Sequence, residues 1–234
     1  MTTIALALQA VKERIAACAT AARRAPQEIQ VVAVSKGFPA SKIEEAYLAG
    51  QTSFGENHAQ EGVEKILALE SLPLEWHFVG PIQSNKTRVI AEHFSWVHGI
   101  ERSKIAERLS LARPKGRAPL QVCIQVNISG EASKSGVTPD ELPHLARYVQ
   151  TLPRLQLRGL MTIPQPTADF DLQRRQFRQL RELKDALAIE GILLDTLSMG
   201  MSQDLEAAIL EGATIVRVGT AIFGKRKSPK DQTL

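Results

Sequence analysis

The chain has 234 residues, 44% of them hydrophobic and 23% charged, which excludes a disordered chain and permits a core without disulfide or metal staples. No apolar run approaches the roughly 20 residues needed to span a bilayer. A net charge of +4, from 29 basic and 25 acidic residues, is too mild to argue for a nucleic-acid partner. Cys18 and Cys123 stand far apart and read as reduced thiols, and His58, His77, His93, His98 and His144 lack metal-ligand spacing. The opening "MTTIALALQAVKERI" has no cationic start and no cleavage site, so the expected location is the cytoplasm.

Ile4, Leu8, Val11, Ile15 and Cys18 recur at spacings of four and three, which predicts an amphipathic helix over 4–18, closed by Arg23, Arg24 and Pro26. Strand-like and helical segments then alternate. Strands are predicted at 31–35, 52–55, 76–80, 96–100, 120–128, 155–163, 194–200 and 214–219. Among the helices, Ser41 and Glu44 form an S-x-x-E capping box ahead of Ile43, Ala46 and Tyr47, with Gly50 as the stop. Ala59, Val63, Ile66 and Leu67 make a second stripe. Phe177, Leu180, Leu183 and Leu187 line a longer helix, and Leu205, Ala208 and Ile209 the last, ended by Gly212. Arg174, Arg178 and Arg181 share one stripe that reads as a solvated face.

Repeated strand–helix alternation requires parallel crossovers. Eight strands suit an α/β fold with a single closed (β/α)8 TIM-type barrel over 1–225, its wall completed by the additional N-terminal helix, and a basic C-terminal tail over 226–234. An open doubly wound sheet is the competing architecture, but no Gly-rich dinucleotide fingerprint follows any strand.

In such a barrel the chemistry belongs at the C-terminal ends of the strands. Lys36 stands at that end of the first strand. "SMGMS" (198–202) and "RVGTAIFG" (217–224) end the seventh and eighth, where barrels hold phosphate on exposed backbone N–H groups. Ser202 also suits a helix N-cap. A lysine facing a phosphate cradle across the barrel seam asks for a ligand with both an aldehyde and a phosphate, pyridoxal 5'-phosphate. Burial near positive charge would favour the neutral amine that imine formation needs. Arg217 should point into the mouth by strand alternation, either toward the ring nitrogen or into a structural ion pair.

"AVSK", "FGEN" with "QEG", "EWHFVGPIQSNK", "NISGEASKSG", "RGLM", "SMGMS" and "RVGTAIFG" together resemble the pyridoxal phosphate homeostasis protein family, in order, from about residue 5 to residue 225. The resemblance implies the barrel of the alanine racemase N-terminal domain. It also implies pyridoxal phosphate held as a Schiff base on Lys36, and a role in vitamin B6 homeostasis, buffering or delivering the cofactor without a dedicated reaction. By motif, Asn57, Ser202, Gly219 and Thr220 surround the cofactor, the last three near its phosphate, and Arg217 faces the ring nitrogen. His77, Asn85 and Lys86 support the site, and Lys134 is a rim lysine that either assists transfer or is simply solvated. The implied partners are the cofactor and recipient apoenzymes, with no nucleic acid or membrane, and the chain is expected to be a monomer. Four positions depart from the family pattern. "SKGFP" stands where family members often read S-K-T-K-P, so Gly37 and Phe38 replace a pair that often includes a second lysine; His58 and Gln203 also differ.

Two enzymes compete with the carrier. An amino-acid racemase needs a base on each face of the imine. Alanine racemases draw the second, a tyrosine, from an additional domain, whereas Tyr47 and Tyr148 here fall on helices and read as core-facing. An aldolase-type barrel enzyme would use Lys36 with Glu56 or Glu61 as an acid–base group.

Overall fold

The computed structural model describes residues 2–131 and 135–225; Lys134 and the predicted tail over 226–234 lie outside them. Eight parallel strands close in sequence order: β1 (Gln30–Val34), β2 (Ser53–Glu56), β3 (Glu75–Phe78), β4 (Trp96–Ile100), β5 (Leu120–Gln125), β6 (Leu155–Met161), β7 (Thr196–Ser198) and β8 (Ile215–Val218). Closure is made by β8 against β1, with Arg217 opposite Val32 and Val218 opposite Ala33. The helices are α1 (Thr3–Ala21), α2 (Ala40–Leu48), α3 (Ala59–Ala68), α4 (Thr87–His93), α5 (Ser103–Ala112), α6 (Leu142–Gln150), α7 (Phe170–Ile189), α8 (Leu205–Leu210) and α9 (Thr220–Phe223). The last is a single turn. α1 takes its place on the wall, packing on α2, α8 and α9 with Leu8, Val11, Ile15 and Ala19 buried.

Strand alternation divides the core in two. Ala33, Val216 and Val218 face the helix layer and join the large outer cluster. Val32, Trp96, Cys123, Met161 and Ile215 form a smaller inner cluster. Polar His77, His98, Ser198 and Arg217 share that interior, all buried. Burial pushes the Cys123 thiol up to about 12, so it is an inert packing group; Cys18 is half-buried.

Several local expectations change. β1 ends at Val34, and the Phe38 N–H returns to the Ser35 carbonyl at 3.0 Å, so Lys36 sits in a turn just past the strand. The Ser41–Glu44 box does not form. Pro39, at φ −70° and ψ 161°, is already the extended residue before the helix, which leaves Ser41 inside its first turn without a capping bond. α3 buries Ala59, Gly62 and Lys65, while Leu67 is exposed. The arginine stripe of α7 is not merely solvated, because Arg174, Arg178 and Arg181 converge on buried Glu211 at 2.7, 3.1 and 2.8 Å. Tyr47 and Tyr148 are half-buried, not core-facing. Among the described residues no helix is long and apolar enough to cross a membrane.

Candidate functional site

The C-terminal rim of the barrel holds a cavity of about 460 Å³. Lys36, Asn57, Ser202, Arg217, Gly219 and Thr220 all line it, so the structure brings these six residues together. Val34, Phe38, Val79, Ile163, Pro164 and Met201 give it apolar walls. Phe38, at the departure from the family pattern, stacks on Phe223 of α9 with ring centroids 5.2 Å apart.

The turn that carries Lys36 is pinned on both sides. Gly37 N–H donates to Glu61 Oε1 at 2.6 Å, and Ser35 Oγ donates to Glu56 Oε1 at 2.6 Å. Lys65 ties these anchors together, because its Nζ donates to the Ser35 carbonyl, Glu56 Oε1 and Glu61 Oε1 at 2.9, 2.7 and 2.7 Å. Burial pushes the Glu56 carboxyl up despite the Lys65 and Ser35 bonds. Burial also opposes Glu61 ionisation, but bonds from Lys65 and Gly37 hold that carboxyl low. Lys36 itself is half-buried on the cavity wall. Neither glutamate lines the cavity, so neither is an acid–base group there.

Arg217 rises from β8 into the cavity floor, as alternation predicts, but its hydrogen-bond acceptors are uncharged. It donates to the Ser198 carbonyl and Oγ at 2.7 Å each and to the Thr162 carbonyl at 2.9 Å. Burial lowers its pKa to about 10, which leaves it a cation at neutral pH. Behind Ser198 stand His98 and His77. His98 Nδ1 lies 2.7 Å from Ser198 Oγ, His98 Nε2 3.0 Å from His77 Nδ1, and His77 Nε2 2.6 Å from Glu75 Oε1.

At the ends of β7 and β8 the hydroxyls meet. Ser202 Oγ accepts from Ala221 N–H at 3.4 Å and Thr220 Oγ1 at 3.3 Å. It is not the N-cap of α8; that position belongs to Asp204, whose Oδ1 accepts from Met201 N–H at 2.5 Å. Burial pushes the Asp204 carboxyl up, and it is the one carboxylate on the cavity wall among the described residues. Gly219 fits where a Cβ would press to 3.3 Å from the Val34 carbonyl.

Asn57, just past β2, is held by close backbone approach. A Cβ on Gly80 would lie 2.4 Å from the Asn57 carbonyl, so only glycine lets the end of β3 pass there. The Asn57 amide oxygen is buried without a hydrogen-bond partner among the described residues. That orphan leaves its satisfaction to a polar group in the cavity. Amine, apolar slot, cation and a hydroxyl–N–H end therefore suit a planar heteroaromatic aldehyde phosphate. Asn85 and Lys86 take no part: Asn85 is exposed and Lys86 bonds Gln60 outside the cavity. Of the three supporting residues implied by the motif, only His77 reaches the interior. Sequence reasoning missed Lys65, His98 and the contact of His98 with His77, although Glu75-x-His77 and Trp96-x-His98 carried the signal of same-face alternation. Among the described residues no histidine, cysteine or carboxylate group could hold a metal ion.

A closed parallel barrel with its lysine past β1 and its hydroxyl–glycine end past β8 defines the class, and the family model for the alanine racemase N-terminal domain matches residues 6–227. A curated pyridoxal phosphate homeostasis protein of Pseudomonas aeruginosa is 58% identical over 226 residues, covering 97% of each chain. PipY of Synechococcus elongatus PCC7942, solved with pyridoxal phosphate bound, superposes with a TM-score of 0.80 at 38% identity, over 92% of this chain and 100% of that one. An alanine racemase of Clostridium difficile 630 shares the fold alone, with a TM-score of 0.71 at 16% identity, and this chain spans 93% of its own length but 56% of the racemase. The chain belongs to the pyridoxal phosphate homeostasis protein family.

Proposed function

We propose that this protein holds pyridoxal phosphate on Lys36 and buffers or delivers it, without a dedicated catalytic reaction. The observation that carries the reading is the convergence of Lys36, Arg217 and the Ser202–Thr220 end on one cavity. Lys36 would hold the cofactor, which when bound would supply an aldehyde carbon for the lysine amine. The chain's residues do the rest. The Glu61–Lys65–Glu56 anchors aim Lys36, and Asn57 and the apolar walls orient the ring. Arg217, a donor without an acceptor site, keeps the ring nitrogen unprotonated, and Ser202, Gly219 and Thr220 hold the phosphate. PipY, a relative 38% identical, carries the same cofactor.

A racemase would need a second base on the cavity. Among the described residues no tyrosine lines it, and the one carboxylate, Asp204, is engaged by the Met201 N–H. Our reading is thus a carrier, and with it goes the proposal of a monomer in the cytoplasm that hands the cofactor to apoenzymes. The test is uptake: wild-type protein incubated with pyridoxal phosphate should gain a near-visible band, fixed to Lys36 by borohydride and absent in Lys36→Ala. Absence of uptake by the wild type would refute the reading. Conversion of L-alanine to D-alanine at enzyme-like rates would replace it with racemization.

A further inference from the structure

The five residues Glu75, His77, His98, Ser198 and Arg217 cross the barrel interior from the start of β3 to the cavity floor in four contacts of 2.6, 3.0, 2.7 and 2.7 Å. The ends of this chain are chemically unequal. A guanidinium can only donate, and an ionised carboxylate can only accept. Ser198 Oγ must therefore accept from Arg217, which frees its own hydrogen for His98 Nδ1. His98, with Nδ1 accepting, donates from Nε2 to His77 Nδ1, and His77 donates from Nε2 to Glu75. The opposite order needs a protonated Glu75, and it makes Ser198 Oγ accept twice, from Arg217 and from His98.

We propose that Glu75, at the barrel end remote from the cavity, is a positioning residue that fixes this single donor order, and so the seat of the Arg217 guanidinium at the cavity floor. Other contacts hold Glu75 in place. Gln30 Nε2 donates to the same oxygen at 2.8 Å and also to Ser53 Oγ at 3.0 Å. Trp96 stacks on His77 with ring centroids 5.5 Å apart, and the Arg158 guanidinium lies over the Trp96 ring, 5.1 Å from its centroid. Both imidazoles are fully enclosed, and burial disfavours their cationic forms, most strongly for His98 beside His77 and Arg217. No proton need move: the chain is a fixed orientation of dipoles, each group satisfied by the next. The consequence for a bound cofactor rests on the reading proposed above, whereas the donor order does not.

The ligand-free protein tests the order directly. With ¹⁵N-labelled histidine, long-range ¹H–¹⁵N correlation should show His77 and His98 as neutral Nε2–H tautomers that do not titrate across about pH 6 to 8, each assigned by its loss in His77→Gln or His98→Gln. Either ring as Nδ1–H or imidazolium overturns the proposal. Glu75→Gln keeps a carbonyl acceptor and should retain both tautomers. Glu75→Leu should destroy the single tautomer of His98, two contacts away, and displace the absorption maximum of the loaded protein at unchanged occupancy. A His98 tautomer or an absorption band unmoved by Glu75→Leu would also overturn it, because Glu75 would then not govern the chain. Failure of wild-type protein to take up the cofactor sinks the functional reading and leaves the ring tautomers to decide this one.

Discussion

Lys65 Nζ lies 2.7 Å from Glu56 Oε1 and 2.9 Å from the Ser35 carbonyl, so a buried lysine on α3 braces the residue that immediately precedes Lys36. The two lysines have opposite tasks. Lys65 uses its three N–H donors on Ser35, Glu56 and Glu61, whereas Lys36 reaches the cavity. One lysine builds the mount and the other works from it.

Removing the brace should therefore be costly. Lys65→Met strands the Glu56 carboxylate and should lower stability by about 3–5 kcal/mol at pH 7, measured by urea denaturation. The sign with pH follows from Glu56, whose folded-state pKa is already raised, mainly by burial. A carboxyl of that kind loses stability as pH rises from its unfolded pKa through its folded one. The deficit of Lys65→Met should shrink as pH falls, and Glu56→Leu added to it should recover part of the loss. Equal deficits at pH 5 and pH 7 would contradict the assignment.

Phe38 lines the cavity and stacks on Phe223 of α9. Aromatic pairs contribute about 0.5–1.5 kcal/mol beyond burial, which corresponds to roughly a two- to tenfold change in a rate or equilibrium. Phe38→Ala should release bound cofactor faster by that factor, followed by loss of its absorbance to a scavenging apoenzyme. Unchanged release would show that the stack does not guard the cavity.

The barrel and its rim were legible because both follow local rules. Alternation put Arg217 inward, and strand ends put Lys36, Asn57 and Gly219 on one rim. Lys65 was not legible. In sequence it is a helix lysine four residues after Glu61, a pattern that ordinarily marks a solvated pair. Only the tertiary placement of Glu56 beneath α3 makes it internal. The contact between His77 and His98 was hidden for a related reason, since residues 21 apart become partners only when β3 and β4 pair. Ser41 misled in the other direction, its cap pattern overridden by the backbone of Pro39.

Glu211 offers a second pH-dependent test. Burial opposes its charge, but bonds from Arg178 and Arg174 and the charges of Arg181 and Arg174 outweigh that and hold its carboxyl below the usual range. A depressed carboxylate contributes stability above its unfolded pKa of about 4.3 and loses it as pH falls through the folded value. Glu211→Gln should cost about 1–3 kcal/mol at pH 7, discounted for the partly exposed arginines. The difference from wild type should close below about pH 4. A difference that persists at pH 3 would mean that shape, not charge, joins α7 to α8.

Gly80 tests whether backbone proximity sets the position of Asn57. A methyl group there would lie 2.4 Å from the Asn57 carbonyl and 2.7 Å from its Cα, and backbone cannot yield as a flexible side-chain tip does. Gly80→Ala should therefore push apart the ends of β2 and β3, at a cost of about 1–3 kcal/mol. It should also carry the orphaned Asn57 amide away from the cavity, lowering cofactor affinity beyond what stability alone explains. Gly116→Ala is the control, because nothing lies within 4 Å of its added methyl, and it should change stability by no more than about 0.5 kcal/mol. Denaturant melts with and without pyridoxal phosphate separate the two effects. If Gly80→Ala loses stability while the cofactor still raises its melting point as much as in the wild type, Asn57 is a structural residue and not a ligand contact.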